Sequence, residues 1–437
     1  MDSEDPKLLP ALERLAELAQ QKGASDVELL DLRWQASSVE VRDGRAGPTQ
    51  HTRGTILRGR VYAGEGQVAG FATKDPARAT EALSDALLRA RSMAPAPAAA
   101  PAERFPISER GQGLDDRRYG QISDRERAEV ALENFSGCDL KGVHCLGADY
   151  NDNRNLRAFF STRGIATTNS DTRYDVRVRA SLADGSHETS FQAAGRAFAS
   201  IGVLPYGRDL AERLKELAAT PVPFPGGDPA IVLEPEVLST LVHQLGPAFC
   251  ADRVQAGASF LSGHDGPLGS DRVSLIDDGS LHGALLARAF DDRGVPPMPV
   301  PLIRDGALGG LLHSPETARE GQARPTGHVL DGNLSPSNLL LRPGRRSRTQ
   351  MLGEVPLALQ FDRLDGELDL RTGRFEYRGP AWILEAGKRR GRVAQAVLRG
   401  HITELLAGVK ELANNQRRTL DVDCATAVIT DFPVSAE

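Results

Sequence analysis

The chain has 437 residues, 40% hydrophobic and 26% charged, enough for two or three cores of about 150 residues each. Fifty-three Lys and Arg against 59 Asp and Glu leave a formal net charge of -6, so no global positive field collects phosphates and nucleic acid is not an expected partner. No run approaches the roughly 18 to 20 uninterrupted apolar residues of a membrane-spanning helix, and the acidic start Met1-Asp2-Ser3-Glu4-Asp5 is unlike a secretory signal; a cytoplasmic, membrane-free protein is expected. The scattered cysteines Cys138, Cys145, Cys250 and Cys424 read as reduced thiols rather than a disulfide framework.

A first helix is predicted from Pro6 to Gln21, with Asp5 as cap and Leu8, Leu12, Leu15, Ala16 and Ala19 on one face. Short strands follow at Val27–Arg33, Ser38–Arg42, Thr55–Ala63 and Val68–Thr73. Asp75-Pro76 opens a second helix that runs to about Arg91. The Ala/Pro run after Met93 reads as an extended connector rather than a packed element. Beyond it come a helix near Asp124–Asn134, a strand with alternating apolar residues from Tyr174 to Leu182, an Asp184-Gly185 hairpin, a return strand from Glu188 to Phe191 and a helix from Asp209 to Ala219. A second proline-rich joint, 221–229, leads into short strands broken by Asp-Gly, Gly-Gly and Pro turns. The expected fold class is α+β: an N-terminal α/β unit at 1–92, a connector at 93–107, a middle region with antiparallel strands at 108–220, and a sheet-rich, largely antiparallel C-terminal part at 221–437.

Several motifs carry less chemistry than they suggest. Gly64-Glu65-Gly66-Gln67-Val68-Ala69-Gly70 has its third glycine one residue late for a nucleotide loop and is followed by a strand, so it reads as a hairpin tip. His187-Glu188 lacks the second histidine of a zincin helix and reads as a strand start. A strand at Ala230–Leu233 is followed by a helix from Pro235 that bears His243-Gln244-Leu245-Gly246-Pro247-Ala248. At 100° per residue, Val237, Leu238, Leu241, Val242 and Leu245 form one apolar arc with His243 nearly opposite. His243 therefore faces water or a cleft.

From about Leu8 to the C-terminus the chain resembles the TldD/PmbA family, peptidase-related proteins also called modulators of DNA gyrase. The resemblance lies in Gly23-Ala24-Ser25-Asp26-Val27-Glu28, Ser38–Gly44 and Gly70–Thr73, and more specifically in Asp277-Asp278-Gly279, Phe290-Asp291-Asp292-Arg293-Gly294-Val295-Pro296, Leu302–Leu308, Thr326-Gly327-His328 and Thr372-Gly373-Arg374-Phe375. Active members of that family carry His-Glu, three residues, then His, with a cysteine near the C-terminus, to hold zinc. Here His243 matches the first histidine, Gln244 replaces the glutamate, Ala248 replaces the second histidine, and Cys424 stands near the expected cysteine. A neutral amide has no basicity near pH 7, an alanine has no lone pair for a metal, and Pro247 would break the helix. The resemblance thus implies a noncatalytic TldE-like subunit, with no metal and no catalytic residue of its own. It would pair as a heterodimer with a zinc-bearing TldD-like chain that cleaves unfolded or leader peptides. Two alternatives remain at this level: an atypical metal hydrolase using His243, Cys250, Asp252, His264 and Cys424, or a homodimeric peptide-binding scaffold.

Overall fold

A computed structural model describes residues 5–96, 98–105, 113–138, 140–201, 206–224 and 226–436. Residues 97, 106 and 107 of the expected connector, 108–112 beyond it, and residue 225 of the second proline-rich joint lie outside the described residues. The chain forms two compact units. One comprises Met1–Ala218 with Ser280–Pro297 and Pro315–Gly332; the other comprises Ala219–Gly279, Met298–Ser314 and Asn333–Glu437.

The first unit is built on one antiparallel sheet, ordered β4-β3-β1-β5-β6-β7, with β2 paired to β1. Its strands are β1 (Asp26–Arg42), β2 (Arg45–Ala46), β3 (Gln50–Gly64), β4 (Gln67–Thr73), β5 (Val143–Ser161), β6 (Ile165–Leu182) and β7 (Glu188–Gly195). The helices are α1 (Asp5–Gln21), α2 (Ala79–Ser92), α3 (Asp124–Gly137) and α4 (Tyr206–Leu217), with a short later helix at Pro315–Glu320. The glycine-rich segment is the β3–β4 hairpin tip and His187 precedes a strand, as expected.

Two expectations need correction. The segments Val27–Arg33 and Ser38–Arg42 are one strand, because β1 is hydrogen-bonded on both sides, to β3 and to β5, and needs no apolar alternation to stay extended. The Ala/Pro run is exposed at its start but buried at Pro101 and Ala102, and it does not separate two sheets, since β1 before it pairs with β5 after it. The Ala102 N–H donates to Glu28 at 2.7 Å and the Ala96 N–H donates to the Gly66 carbonyl. A proline-rich backbone has few donors but leaves carbonyls open. Here Arg319 donates to the carbonyls of Ala98, Ala100 and Pro101.

Alternation decides the two faces of the sheet. Val27 and Leu29 of β1, Leu57 and Val61 of β3, and Leu156 and Ala158 of β5 pack against the apolar stripes of α1 and α2. Further along the same face, Val39, Val41, Tyr150, Tyr174, Val176 and Val178 pack against α3 and α4. Asp152 is buried there, held by Arg127 Nε at 2.7 Å and by the hydroxyls of Tyr119 and Tyr150. The Ser123 capping box starts α3 just upstream.

At one end of the other face, the signature run Phe290–Pro296 closes over the sheet. Asp291 accepts from the backbone N–H groups of Arg293, Val295 and Val329, which fixes the loop. Gly294 has φ +71°, and a Cβ there would lie 2.4 Å from the Phe159 ring, so only glycine fits. Asp292 pairs with Arg58 and Arg157. Arg293 is 4% exposed at its side chain and reaches Glu28, itself 3% exposed, at 2.9 Å. Its second nitrogen meets Glu316, and Tyr62 donates its hydroxyl to Glu28. Burial alone would lower the guanidinium pKa, but Glu28, Tyr62 and Glu316 hold it above its ordinary value. Burial would likewise raise Glu316, yet Arg293 and Arg60 bring it from 4.5 down to about 2.

In the second unit one sheet runs Val409–Leu412, Ala427–Ile429, Ala230–Leu233 (β8), Leu357–Phe361, Arg374–Glu385, Lys388–His401 and Val434–Ala436. Its pairings are antiparallel except for β8 with Leu357–Phe361. A smaller sheet contains Val300–Arg304, Leu275–Asp277, Leu339–Leu341 and Val422–Cys424. Helix α5 (Pro235–Leu245) buries Leu238, Leu241, Val242 and Leu245 among apolar residues of both sheets, including Leu233, Leu275, Leu359 and Val422. The fold is α+β with a sheet-rich, largely antiparallel C-terminal part.

The ion cluster yields two predictions. Arg293→Met leaves the buried Glu28 carboxylate without its cation and should cost about 3–5 kcal/mol in urea denaturation, whereas Arg42→Ala, at an exposed pair, should change stability by less than about 1 kcal/mol. Because the folded pKa of Glu316 is depressed, its contribution is present above 4.5 and lost as pH falls toward about 2. Glu316→Gln should flatten that part of the acid-stability profile.

Candidate functional site

Pro235 occupies the first turn of α5, where its missing N–H costs no hydrogen bond, and the helix ends at Leu245. Gly246–Phe249 continues as a tighter 3-10 turn containing Pro247. The metal-motif segment is therefore bent where a second ligand would have to stand, as the proline suggests. Ala248 is fully buried in the core, with no room for an imidazole in its place.

His243 points off the apolar face, as the helical wheel indicates, and its side chain is 64% exposed. Nδ1 lies 2.7 Å from Oδ2 of Asp421. A carboxylate only accepts, so Nδ1 carries the proton and the hydrogen bond raises the His243 pKa above 6.5. Asp421 sits in the tight turn between Arg417–Thr419 and Val422–Cys424. The preceding Leu420 adopts φ +53°, a left-handed conformation uncommon for a branched residue, and this turn presents Asp421 to the helix.

Gln244 is an anchor. Its Oε1 accepts from the Leu368 N–H at 3.0 Å and from the Tyr377 hydroxyl at 2.8 Å, while its Nε2 donates to the Gly366 carbonyl at 3.3 Å. Only an amide can make all three contacts, since a carboxylate has no hydrogen for Gly366. Cys424 is fully buried, donates its S–H to the Pro235 carbonyl at 3.2 Å, and has its thiol pKa pushed up to about 12 by burial. A thiol held protonated in this way is a poor metal ligand.

These four positions do not make a zinc site: one exposed imidazole, one amide whose polar atoms are engaged, one alanine and one buried thiol are too few donors. The rearranged set fares no better. Cys250 is buried with its S–H on the Leu334 carbonyl, and burial pushes its pKa to about 12, while Asp252 is exposed. Among the described residues no group of three His, Cys, Asp or Glu is placed to hold a metal. Asp421 and Tyr377 are the partners that sequence reasoning missed. Neither lies in a motif, and each becomes relevant only when strands distant in sequence meet α5.

The His243–Asp421 pair predicts a pH effect of known sign. A histidine pKa raised on folding contributes stability that is fully present below about 6.5 and lost as pH rises through the folded value. Asp421→Asn should return the His243 imidazole titration, followed by NMR, toward 6.5, and should reduce stability on the acidic side by under about 1 kcal/mol, because the His243 side of the pair is open to solvent.

Residues 226–436 match the family profile described as PmbA/TldA metallopeptidase C-terminal domain. Over 411 residues the chain is 25% identical to a metalloprotease of Methanothermobacter thermautotrophicus, covering 90% of this chain and 89% of that one. It is 21% identical over 416 residues to metalloprotease PmbA of Escherichia coli O157:H7, covering 92% and 90%. The crystal structure of TldE from Thermococcus kodakarensis superposes with a TM-score of 0.85 at 18% identity, over 98% of this chain and 100% of that one. Residues 226–436 thus match the C-terminal domain of the TldD/PmbA family, and the chain is similar to TldD/PmbA proteins along its whole length in sequence and in fold.

Proposed function

We propose that this chain is the noncatalytic, TldE-like member of a heterodimeric metallopeptidase that cleaves unfolded or leader peptides, with zinc and the proton-transferring glutamate supplied by a TldD-like partner. The observation that carries this reading is the state of Gln244, which stands where a general base would and is instead hydrogen-bonded through both ends of its amide to Gly366, Leu368 and Tyr377. A group in that role neither accepts a proton nor is free to move toward one. Ala248 and Cys424 support it, the first offering no lone pair and the second a buried, protonated sulfur. What α5 retains is packing: it fills the space between two sheets. The chain's contribution to peptide cleavage would then be to shape and close the reaction chamber. No described helix is long and apolar enough to cross a membrane.

Co-expression with a TldD-like chain tests the proposal. The complex should cleave an unstructured peptide, His243→Ala in this chain should leave the rate nearly unchanged, and replacing the partner's motif glutamate should abolish it. Cleavage by this chain alone, or its loss in a correctly assembled His243→Ala complex, contradicts the assignment. Restoring the motif letters should not restore chemistry. Gln244→Glu with Ala248→His places a carboxylate against the Gly366 carbonyl and a ring in a filled core, so it should bind no stoichiometric zinc and should lower stability by about 2–4 kcal/mol.

A further inference from the structure

The face of the first unit's sheet opposite its helices is covered by Phe290–Pro296 at the Glu28 end and opens, in the middle of β1, into a groove of about 520 Å³. Its floor comes from the strands and its rim from Leu285–Arg288. That rim is tied down by Arg196, which donates to the carbonyls of Ala284 and Ala287. Two features mark this groove as more than an ordinary wet sheet face.

The first is an aromatic platform. Trp34 pairs across the sheet with Gly54, and a Cβ on Gly54 would fall 2.2 Å from the Trp34 ring. The indole thus lies over its glycine neighbour, beside Leu32 and Ile56, and gives the groove a half-buried apolar floor. The second is charge. The arginines Arg58, Arg157, Arg173, Arg196 and Arg288 line the groove against only Asp171 and Asp331, in a chain whose net charge is -6.

Most of that charge is committed. Arg58 and Arg157 pair with Asp292, and Arg196 with Asp171, while Arg288 answers the buried Asp291. Arg173 stands on β6 with no ion pair among the described residues, half-buried beside the amides of Asn153 and Asn155. A guanidinium presented this way in a groove accepts a carboxylate in two-pronged fashion.

We propose that this groove binds an extended acidic peptide, with Arg173 receiving a carboxylate and the Trp34 platform receiving an apolar side chain; the inference rests on the peptide-handling reading above and adds the peptide's character. Register sets the spacing. Trp34 lies opposite Asn155, which lies opposite Asp171, so Arg173 is two strands across and two residues along from Trp34. That is about 12 Å, or three to four residues of extended chain. The preferred peptide therefore carries Asp or Glu, or its own C-terminal carboxylate, at that interval from a large apolar residue.

Trp34 and Trp382 are the two tryptophans, so Trp382→Phe makes Trp34 the fluorescent reporter. The full chain, without any partner, is titrated with a short unstructured peptide bearing aspartate at the stated interval from leucine, with the same peptide bearing lysine instead, and with a single-stranded oligonucleotide. The aspartate peptide should perturb Trp34 and bind at least about tenfold more tightly than the lysine peptide. Arg173→Glu should remove that preference without shifting the melting temperature, and Asn153→Lys, which adds a cation beside Arg173, should tighten binding, an effect that misfolding cannot produce. Equal affinity for the two peptides, or an Arg173→Glu chain that binds as before, overturns the proposal. Tighter binding of the oligonucleotide overturns it in favour of a nucleic-acid surface. No partner chain or cleavage is involved, so failure of the heterodimer assignment and failure of this inference give different results.

Discussion

A buried cation has to be neutralised, and much of the first unit is arranged around that requirement. Arg293 lies almost wholly out of water, where an unpaired charge would cost several kcal/mol. Glu28 from the first long strand and Glu316 from a much later helix supply the counter-charges, with the Tyr62 hydroxyl and the Ala100 carbonyl completing the shell. The network draws together strand, connector, loop and helix from four stretches of sequence. It also gives the Phe-Asp-Asp-Arg-Gly-Val-Pro run a physical meaning: Asp291 folds the loop, Asp292 locks it to two sheet arginines, Arg293 plugs it into the sheet, and Gly294 lets it pass the Phe159 ring.

In the second unit the same economy of polar groups is seen around α5. The positions that would perform catalysis in a TldD-like chain here bear on structure. Gln244 pins the helix to a hairpin, Ala248 fills core, and Cys424 ties its strand to the helix's first turn. His243, left outward, is steadied by Asp421.

What could be read from the sequence follows from range of interaction. The helices α1 and α2, the Asp184-Gly185 hairpin and the alternating strand at Tyr174–Leu182 are specified by residues near one another, through stripes, caps and turns. The Asp305-Gly306 turn, both of whose residues have positive φ, was legible for the same reason. Strand β5 was not. Its centre, Asn151-Asp152-Asn153-Arg154-Asn155, has poor strand propensity, and it is extended because both edges are paired and because Asp152 meets Arg127 beneath the sheet. The anchoring of the Ala/Pro run was hidden likewise, since its hydrogen bonds come from arginines two hundred residues away. At the candidate site, the loss of metal-binding letters was plain in the chain; the new duties of those letters were not, because Tyr377, Gly366 and Asp421 are brought to α5 only by tertiary folding.

The discontinuity of the first unit bears on how the polypeptide is made. Its sheet is complete by Ala218, yet residues 280–297 and 315–332, with the helix Pro315–Glu320, belong to it as well. On a ribosome, Glu28 is synthesised long before the guanidinium that will neutralise it, so the earliest-made sheet must wait for much later synthesis before one end of it is closed. A chain ending at Ala218 would leave that carboxylate with the Tyr62 hydroxyl and the Ala102 N–H as partners but without its counter-charge.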